Sequence, residues 1–304
     1  MRPSKELLQK LSQILPSDAF FPDEVLAPHT TFRIGGPCVA MVLPQSMESV
    51  AEVLQLLNET GTSYFVMGGG SNLLVSDRGF DGIIIKTSGL NTLTIEDTKL
   101  TAGAGNPLGR IAVAAAKASL AGLEFAHGIP GTVGGGVCMN AGAYGGEMSQ
   151  VVLESRYATA CGELRTLKAD EHAFAYRNSF FLQNRDCFLL ETVFSLKQGD
   201  SEASFAHMHE LWEKRKASQP LELPSAGSMF KRPPGHFAGK LIDDCGLRGI
   251  SEGGAMVSPK HANFIVNMGN ATADDVLRLI ERVKEAVLSR FGVEMHCEVR
   301  RLGF

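Results

Sequence analysis

The residues best suited to chemistry form a run of three glycines followed by two hydrogen-bonding side chains. Gly68, Gly69 and Gly70 precede Ser71 and Asn72, directly after a strand-like segment. Glycines permit positive φ and let the main chain approach a ligand, so consecutive N–H groups can point into one concavity. Such a nest suits a phosphate or pyrophosphate, with Ser71 and Asn72 as further donors. The alternative is a tight turn that needs glycine for conformational reasons alone.

The familiar phosphate-binding loops do not match this run. A Walker A loop is excluded because no Gly-Lys-Ser/Thr follows the glycines. The GxGxxG pattern requires a helix after the glycines, whereas Leu73–Val75 has the composition of a strand. A phosphate bound here would therefore belong to another type of fold.

A second, longer glycine-rich segment covers residues 127–146. So many small residues cannot form a well-packed core on their own. A loop of this length inside a compact domain is usually functional. Its near-neutral, apolar character suits a flat aromatic ligand better than a metal, so we expect it to bind a cofactor.

The two glycine segments, in this order, resemble those of the UDP-N-acetylenolpyruvoylglucosamine reductase family. The likeness runs from residues 29–36 to residues 298–300 and covers almost the whole chain. Gly136 and Cys245 stand where many relatives are expected to have alanine, and both changes are conservative. The resemblance implies that GGGSNLLV binds the FAD pyrophosphate and that GIPGTVGG and MNAGAYG wrap the cofactor. The implied FAD-binding residues are Gly68, Gly69, Gly70, Ser71, Asn72, Gly128, Ile129, Pro130, Gly131, Val133, Gly134, Gly135, Asn140, Gly142 and Ala143.

The same resemblance implies three catalytic residues. Arg177, in the motif Tyr-Arg-Asn-Ser, would bond the substrate carboxylate or enolate and remain charged throughout. Ser228, in Ala-Gly-Ser-Met-Phe-Lys, would donate a proton to carbon. Glu298, in Cys-Glu-Val-Arg, would orient Arg177 or hold a proton near the enolic intermediate. Glu294 competes for this role, and the match to Glu-Val-Arg favours Glu298.

Each of these residues also has an ordinary structural interpretation. Spacing alone would make Arg177 a surface salt-bridge residue, and Gly227-Ser228 would be a turn. A carboxylate such as Glu294 would be a solvated loop residue. Two further residues, Tyr176 and Lys231, are candidates for contact with the substrate.

The implied reaction is the NADPH-dependent reduction of UDP-N-acetylglucosamine enolpyruvate to UDP-N-acetylmuramate, a step of peptidoglycan precursor synthesis. NADPH first reduces non-covalently bound FAD, and the nucleotide substrate then occupies overlapping space. Hydride passes from flavin N5 to the enolpyruvyl β-carbon while Ser228 protonates the α-carbon. The flavin carries the electron chemistry, and the protein supplies position and electrostatics. Two alternatives stay open: a flavin oxidase of the same fold with oxygen as acceptor, and a non-catalytic nucleotide-binding protein.

The histidines do not predict a metal site. His207 and His209 are two residues apart on a predicted helix, so they do not share a face, and no third ligand is evident. His127 precedes the second glycine segment, and some relatives of this flavin fold attach FAD through histidine. Because the family binds FAD non-covalently, we interpret His127 as structural.

Four helices are predicted to frame these segments. Apolar periodicity and capping residues place them at 46–61, 106–122, about 204–216 and 272–292. Ser46, Asn106 and Thr272 are the predicted caps, and Gly292 is predicted to end the last helix. Strand-like runs lie at 64–67, 83–87, 93–96, 151–160, 189–196, 256–258, 264–268 and 298–302, with a tight turn at Cys161-Gly162. Because strands and helices alternate without a regular βαβ period, the pattern favours the α+β class.

The chain has 304 residues, more than one hydrophobic core usually organises. The resemblance implies a two-part FAD-binding domain of the vanillyl-alcohol-oxidase/PCMH type plus an α+β substrate-binding domain. FAD-binding subdomain 1 is expected at 1–97, with 298–304 returning to it, subdomain 2 at 98–200, and the substrate-binding domain at 201–297. Residues 196–204 are the best linker candidate. The length fits the shorter form of the family, which leaves open how the UDP pyrophosphate is held.

The bulk composition argues against several partners. With a net charge of −4 and a pI of about 6.1, no overall positive field attracts nucleic acid or anionic lipid. No segment approaches the roughly 18 apolar residues of a membrane span, and no signal peptide is evident. The six cysteines include no CxxC pair, so we expect reduced thiols and a cytoplasmic protein. The expected partners are the UDP-sugar substrate and NADPH, and no oligomeric state is predicted.

Overall fold

The structure is a computed structural model that describes residues 3–304. Its α-helices are α1 (Lys5–Ile14), α2 (Met47–Glu59), α3 (Leu108–Lys117), α4 (Val133–Cys138), α5 (Phe180–Gln183), α6 (Ser201–Ser218), α7 (Ala238–Asp244) and α8 (Ala273–Phe291). Its strands are β1 (Phe20–Pro22), β2 (Cys38–Val42), β3 (Tyr64–Met67), β4 (Leu73–Val75), β5 (Phe80–Lys86), β6 (Leu93–Glu96), β7 (Lys99–Gly103), β8 (Leu120–Ala121), β9 (Gly142–Ala143), β10 (Gly146–Glu147), β11 (Val152–Ala158), β12 (Leu164–Lys168), β13 (Phe188–Ser195), β14 (Lys197–Gln198), β15 (Ser225–Ser228), β16 (Ser251–Glu252), β17 (Ala255–Val257), β18 (Phe264–Asn267) and β19 (Arg300–Leu302). The mixture of helices and strands confirms the α+β class.

The chain forms two compact units, of which unit 1 comprises residues 3–23, Val39–Gly69 and Asp81–Lys214. A four-stranded sheet has the order β1-β2-β5-β3, with β3 and β5 parallel. A five-stranded antiparallel sheet has the order β12-β11-β13-β7-β6. The apolar faces of α1, α2 and α3 join the inward side chains of these sheets in one hydrophobic core.

Unit 2 comprises Glu24–Cys38, Gly70–Phe80 and Arg215–Phe304. Its antiparallel sheet has the order β15-β18-β17-β16, and the last strand, β19, pairs in parallel with β4. A second hydrophobic core is built around the buried stripe of α8: Val276, Leu279, Ile280, Val283 and Val287. The predicted division of the chain into three domains stays a prediction.

The helices with strong end signals begin where the sequence predicts. Ser46 caps α2 and forms a reciprocal capping box with Ser49. Thr272 caps α8 in the same way with Asp275, and Gly292 follows α8 with φ 66°. The two hydroxyl caps satisfy main-chain N–H groups that have no partner inside the helix, and the glycine adopts a left-handed conformation at no steric cost.

The predicted cap of α3 is wrong. Pro107, not Asn106, is the capping residue, and no side chain of the described residues caps this helix. The Asn106 side chain instead donates to Thr92 O (2.7 Å) and Gly103 O (3.1 Å), and it accepts from Arg110 (2.8 Å). A buried amide with these three hydrogen bonds, one of them to the distant Thr92, is therefore not available to cap the helix.

Most strand predictions are correct within a few residues, and the Cys161-Gly162 turn joins β11 to β12. Residues 196–204 are not a free linker, because β14 pairs with β8 and α6 begins at Ser201. The short helices α4, α5 and α7 were not predicted. Among residues 3–304 the structure contains no helix long and apolar enough to cross a membrane.

Candidate active site

Ser228 lies at the end of β15, where the strand contains a bulge. Ser225 pairs with Val266 and Ser228 with Phe264, so β15 has one residue more than β18 between the two pairs. Gly227 has φ 76°, which glycine adopts without strain. Bulges of this kind redirect a side chain beside a functional site, and Ser228 is partly buried here.

Glu298 lies beside the residues that follow Ser228. Its N–H donates to Met229 O (2.9 Å), and the main chains of Cys297 and Phe230 form an isolated antiparallel β-bridge. One step further, Lys231 N donates to His296 O (2.9 Å). The segment that carries Glu298 therefore runs antiparallel to the segment after Ser228, and unit 2 brings these two predicted residues together.

Glu294 has different surroundings. It is exposed and lines an open cavity of about 630 Å³ together with residues of α8, such as Lys284 and Leu288. Glu298 is partly buried and does not line that cavity among the described residues. The two glutamates therefore face different parts of unit 2.

The last three residues of the first glycine segment, 70–72, also belong to unit 2. Gly70 has φ 63°, and a Cβ on it would overlap His29 O. Asn72 donates through Nδ2 to Glu298 O (3.2 Å), and its main-chain oxygen accepts from Arg300 N (3.1 Å). Asn72, predicted as a cofactor ligand, is thus bonded to the main chain of the predicted catalytic glutamate.

Gly68 and Gly69 belong to unit 1, where they contact the second glycine segment. A Cβ on Gly68 would overlap Thr132 Oγ1, and a Cβ on Gly69 would lie 3.1 Å from Gly131 Cα. The two segments therefore approach each other closely, at the side chain of Thr132 and the main chain of Gly131. Only residues without a side chain permit this packing.

The second glycine segment has more regular structure than the predicted loop. It contains α4, capped by Thr132, and the two-stranded hairpin β9–β10. Gly128, Ile129, Gly131, Gly142 and Ala143 are partly buried, Pro130 and Gly135 are exposed, and Val133, Gly134 and Asn140 are buried.

Two of the predicted cofactor ligands in this segment have their main-chain N–H groups occupied. Val133 N donates to Asn106 O (2.8 Å), and Gly134 N donates to Ala104 O (2.9 Å). These two amides hold α4 against the end of β7. A cofactor contact at Val133 or Gly134 would therefore involve other atoms.

Arg177 lies in unit 1 at the tip of a two-residue hairpin closed by Ala175 and Asn178. Its φ is 53°, a left-handed conformation that is uncommon for a residue with a side chain. Its Nη2 donates to Gly142 O (3.5 Å), and its guanidinium carbon lies 5.2 Å from the centre of the exposed Tyr176 ring.

The hairpin of Arg177 is tied to the second glycine segment. Asn140 Nδ2 donates to Ala175 O (3.3 Å), and Ser179 Oγ donates to Cys138 O (2.7 Å). Unit 1 thus brings Arg177, Tyr176, Asn140 and Gly142 together. A left-handed residue held by such bonds is typical of functional sites.

Unit 1 contains a lysine, Lys86, whose shifted pKa the sequence did not predict. Lys86 pairs with Met67, the residue before Gly68, and burial lowers the pKa of Lys86 to about 8. The amine thus stays mainly protonated at neutral pH, and the residue that carries this partly buried charge pairs with the one before Gly68. Within residues 3–304 no cluster of three metal-binding side chains occurs.

Asn263 is a second residue that sequence reasoning missed. It is buried, its main-chain oxygen accepts from Met229 N (2.7 Å), and its side chain bonds both polar groups of Phe230. The only sequence signal was a lone asparagine next to an apolar strand. Such a residue cannot be distinguished from a surface turn without the fold.

Comparison with known proteins agrees with this arrangement. A family model described as "UDP-N-acetylenolpyruvoylglucosamine reductase, C-terminal domain" matches residues 219–302, and one described as "FAD binding domain" matches residues 39–168. The UDP-N-acetylenolpyruvoylglucosamine reductase of Clostridium tetani is 46% identical over 98% of this chain and 97% of its own length. That of Geobacillus kaustophilus is 44% identical over 100% of this chain and 99% of its own length.

Solved structures give the same result. The crystal structure of UDP-N-acetylenolpyruvylglucosamine reductase from Thermus caldophilus matches with a TM-score of 0.79 and 36% identity, covering 92% of this chain and 98% of that one. Phl p 4.0202, a glucose dehydrogenase, shares only the fold, with a TM-score of 0.52 and 14% identity over 95% of this chain and 63% of its own. The predicted FAD-binding fold of the vanillyl-alcohol-oxidase type is thereby confirmed. The chain belongs to the UDP-N-acetylenolpyruvoylglucosamine reductase family of FAD-dependent oxidoreductases.

Proposed function

We propose that this chain reduces UDP-N-acetylglucosamine enolpyruvate to UDP-N-acetylmuramate with NADPH as the hydride donor. Family membership over the full chain length supports the substrate, and the FAD-binding domain supports the redox chemistry. The observation that carries the residue assignment is the hydrogen bond from Glu298 N to Met229 O, which joins the main chains of the two segments that bear Glu298 and Ser228.

The residues present fit FAD. Gly68 and Gly69 lack side chains where the main chain meets Gly131 and Thr132. His127, just before the second segment, has a buried Nδ1 with no hydrogen-bond partner among the described residues. The residues that would hold the cofactor are Gly68, Gly69, Gly70, Ser71, Asn72 and those predicted within 128–143. When bound, FAD supplies the two-electron chemistry of the reduction.

Each predicted side chain has a distinct task in this proposal. Arg177 bonds the carboxylate next to the reacting double bond and stabilises the charge that develops there. Ser228 gives its hydroxyl proton to the α-carbon as the double bond is reduced. Glu298 holds a proton near the enolic intermediate. Tyr176 and Lys231, both exposed, are the proposed substrate contacts.

The setting of Arg177 supports its task. A guanidinium cannot lose its proton in the working pH range, so it remains a permanent counter-ion for the carboxylate. Its left-handed φ of 53° and the bonds that hold the hairpin restrict where the side chain can point. Restricting the geometry before substrate binds lowers the cost of reaching the transition state.

The first experiment is an anaerobic visible spectrum of the purified protein, with NADPH and then the enolpyruvyl nucleotide added. We expect yellow flavin bands that bleach with NADPH and return with the nucleotide. Ser228→Ala should still bleach with NADPH but recover its colour about 100- to 10,000-fold more slowly, because the proton donor is lost.

Two outcomes would contradict the proposal. Bleaching that only oxygen reverses would indicate an oxidase of the same fold. A colourless protein that cannot be reconstituted with FAD would indicate a non-catalytic relative.

The free thiols of all six cysteines fit the cytoplasmic location that we propose for the reaction.

A further inference from the structure

The main chain next to Ser228 and Glu298 is held by the side chains of two asparagines. Both asparagines, Asn72 and Asn263, belong to unit 2 with the residues that they bond. In these contacts both side chains bond main-chain atoms, and the influence that we infer on the reaction passes through those atoms.

Asn263 bonds the two residues that follow the last ladder pair of β15, Ser228 with Phe264. Its Oδ1 accepts from Phe230 N (3.0 Å), and its Nδ2 donates to Phe230 O (2.9 Å). Its main-chain oxygen accepts from Met229 N (2.7 Å). The two residues after Ser228 thus have a complete set of main-chain bonds although the regular ladder stops at Ser228.

Asn72 bonds the main chain of the segment that carries Glu298. Its Nδ2 donates to Glu298 O (3.2 Å), while its main-chain oxygen accepts from Arg300 N (3.1 Å). Glu298 N in turn donates to Met229 O (2.9 Å). A continuous series of hydrogen bonds therefore runs from Asn72 through Glu298 and Met229 to Asn263.

Because these groups are buried, removing one of their hydrogen bonds costs free energy that water cannot restore. Asn263 and Phe230 are buried, so no bulk water can replace a bond that is removed. An unpaired buried N–H or C=O carries the full desolvation cost, and the main chain shifts to reduce it. Displacement of about 1 Å at a catalytic group is enough to slow a reaction about 100-fold.

We propose that Asn72 and Asn263 are positioning residues that fix Ser228 and Glu298 relative to each other for proton transfer to the substrate. This inference rests on the proposed function. It assigns Asn72 a second task beyond the predicted contact with the FAD pyrophosphate, and it gives Asn263 a task where none was predicted.

The test uses FAD-saturated protein and follows the two half-reactions separately by stopped-flow absorbance. Bleaching by NADPH does not require Ser228 or Glu298, whereas recovery of colour with the enolpyruvyl nucleotide does. We expect Asn263→Ala and Asn72→Ala to slow recovery about 10- to 100-fold. In Asn263→Ala, which removes no proposed FAD ligand, bleaching should stay within about twofold of wild type. Asn263→Asp keeps the acceptor for Phe230 N but places a carboxylate oxygen against Phe230 O, so it should slow recovery at least as much as Asn263→Ala.

Asn267→Ala is the matched control. Asn267 is also buried in unit 2, and its Nδ2 donates to Phe32 O (3.1 Å), while its Oδ1 accepts from Gly269 N (2.8 Å) and Ala271 N (3.1 Å). Its removal should lower the melting temperature as much as Asn263→Ala. It should leave both half-reactions at the wild-type rate, because its bonds do not reach Ser228 or Glu298.

Equal slowing of both half-reactions in Asn263→Ala, or recovery as fast as in Asn267→Ala, would overturn the inference. The wild-type protein separates this result from failure of the proposed function. If the nucleotide does not restore colour in wild type, the proposed function is wrong and the inference falls with it. If wild type recovers normally and the asparagine variants match the control, only the inference is wrong.

Discussion

Two glutamates four residues apart show how strongly local surroundings decide the role of a residue. Glu298 is partly buried beside the segment after Ser228, whereas Glu294 is exposed at a cavity lined by α8. Identical side chains in such different positions cannot contribute equally to a reaction. Sequence context favoured Glu298, and the geometry supplies a physical basis for testing that choice.

We predict that Glu298→Gln lowers the turnover number about 100- to 10,000-fold, because a neutral amide can neither hold nor release the proton. Glu294→Gln should change it by less than about twofold, since loop carboxylates of this kind interact mainly with solvent. Steady-state NADPH oxidation measures both, with flavin absorbance as the check on folding. Equal tolerance of the two changes would remove the assignment of Glu298.

Gly70 and Gly246 have the same conformation but different surroundings. Gly70 has φ 63° and Gly246 has φ 71°. A Cβ on Gly70 would overlap His29 O, whereas a Cβ on Gly246 meets no other atom of the described residues within 4 Å. Alanine at either position suffers left-handed strain, and only at Gly70 does a collision add to it.

We therefore expect Gly246→Ala to destabilise the protein by about 1 kcal/mol and Gly70→Ala by about 2 kcal/mol more. The flavin content of Gly70→Ala should also fall, because the collision displaces the neighbours of Ser71. Urea unfolding of the two variants measures the difference. Similar losses of stability would show that the loop around Gly70 moves freely enough to accept a side chain.

At the scale of elements, a series of buried hydrogen bonds links β11 and β13 to the 3-10 helix Ala169–His172. The Nδ1 of His172 donates to Lys168 O (2.7 Å), so its Nε2 accepts from Ser155 Oγ (2.9 Å), which lies 3.1 Å from Thr192 Oγ1. His172, Ser155 and Thr192 are fully buried. Burial lowers the pKa of His172 below its ordinary value of 6.5.

The imidazole of His172 takes up a proton more readily in the unfolded chain than in the folded one. Its contribution to the free energy of unfolding is therefore complete above about pH 6.5 and is lost as the pH falls towards the lowered pKa. We predict that His172→Gln, which can keep both hydrogen bonds without titrating, loses less stability than wild type between about pH 7 and about pH 5. Urea unfolding across this range measures it. Parallel pH profiles for the two proteins would contradict the prediction.

The elements that the sequence predicted well carry their own end signals. The apolar stripes of α2 and α8, with Ser46, Thr272 and Gly292 at their ends, follow from local chemistry alone. By contrast, α4 has the sequence Val-Gly-Gly-Gly-Val-Cys, which intrinsic propensity disfavours as a helix. It forms because its first amides bond Asn106 O and Ala104 O, contacts that only the tertiary structure supplies.

At the scale of the whole molecule, FAD is expected to act as a ligand of the folded chain, because residues 39–168 match an FAD-binding domain. A ligand that binds only the folded chain stabilises it by mass action. The cofactor should therefore contribute to global stability and not only to catalysis.

We predict that removal of FAD lowers the melting temperature and that added FAD restores it in a concentration-dependent manner. At 100 times the dissociation constant the gain is about 2.7 kcal/mol. Differential scanning calorimetry of apo and reconstituted protein tests this, with FMN, which lacks the adenylate half, as the control. A melting temperature that FAD does not change would contradict the assigned cofactor ligands.

The sequence by itself determined the α+β class and the family, and it supplied the segments that we propose for its chemistry. These features depend on residue type and short spacing: glycines where the main chain must approach closely, hydroxyl caps, and apolar stripes. Only the tertiary structure decided that Asn106 is not a cap, that Arg177 adopts a left-handed conformation, and that Asn72 and Asn263 bond the main chain around Glu298 and Ser228. Those contacts join residues distant in sequence, and no local pattern reports which buried polar groups will need a partner.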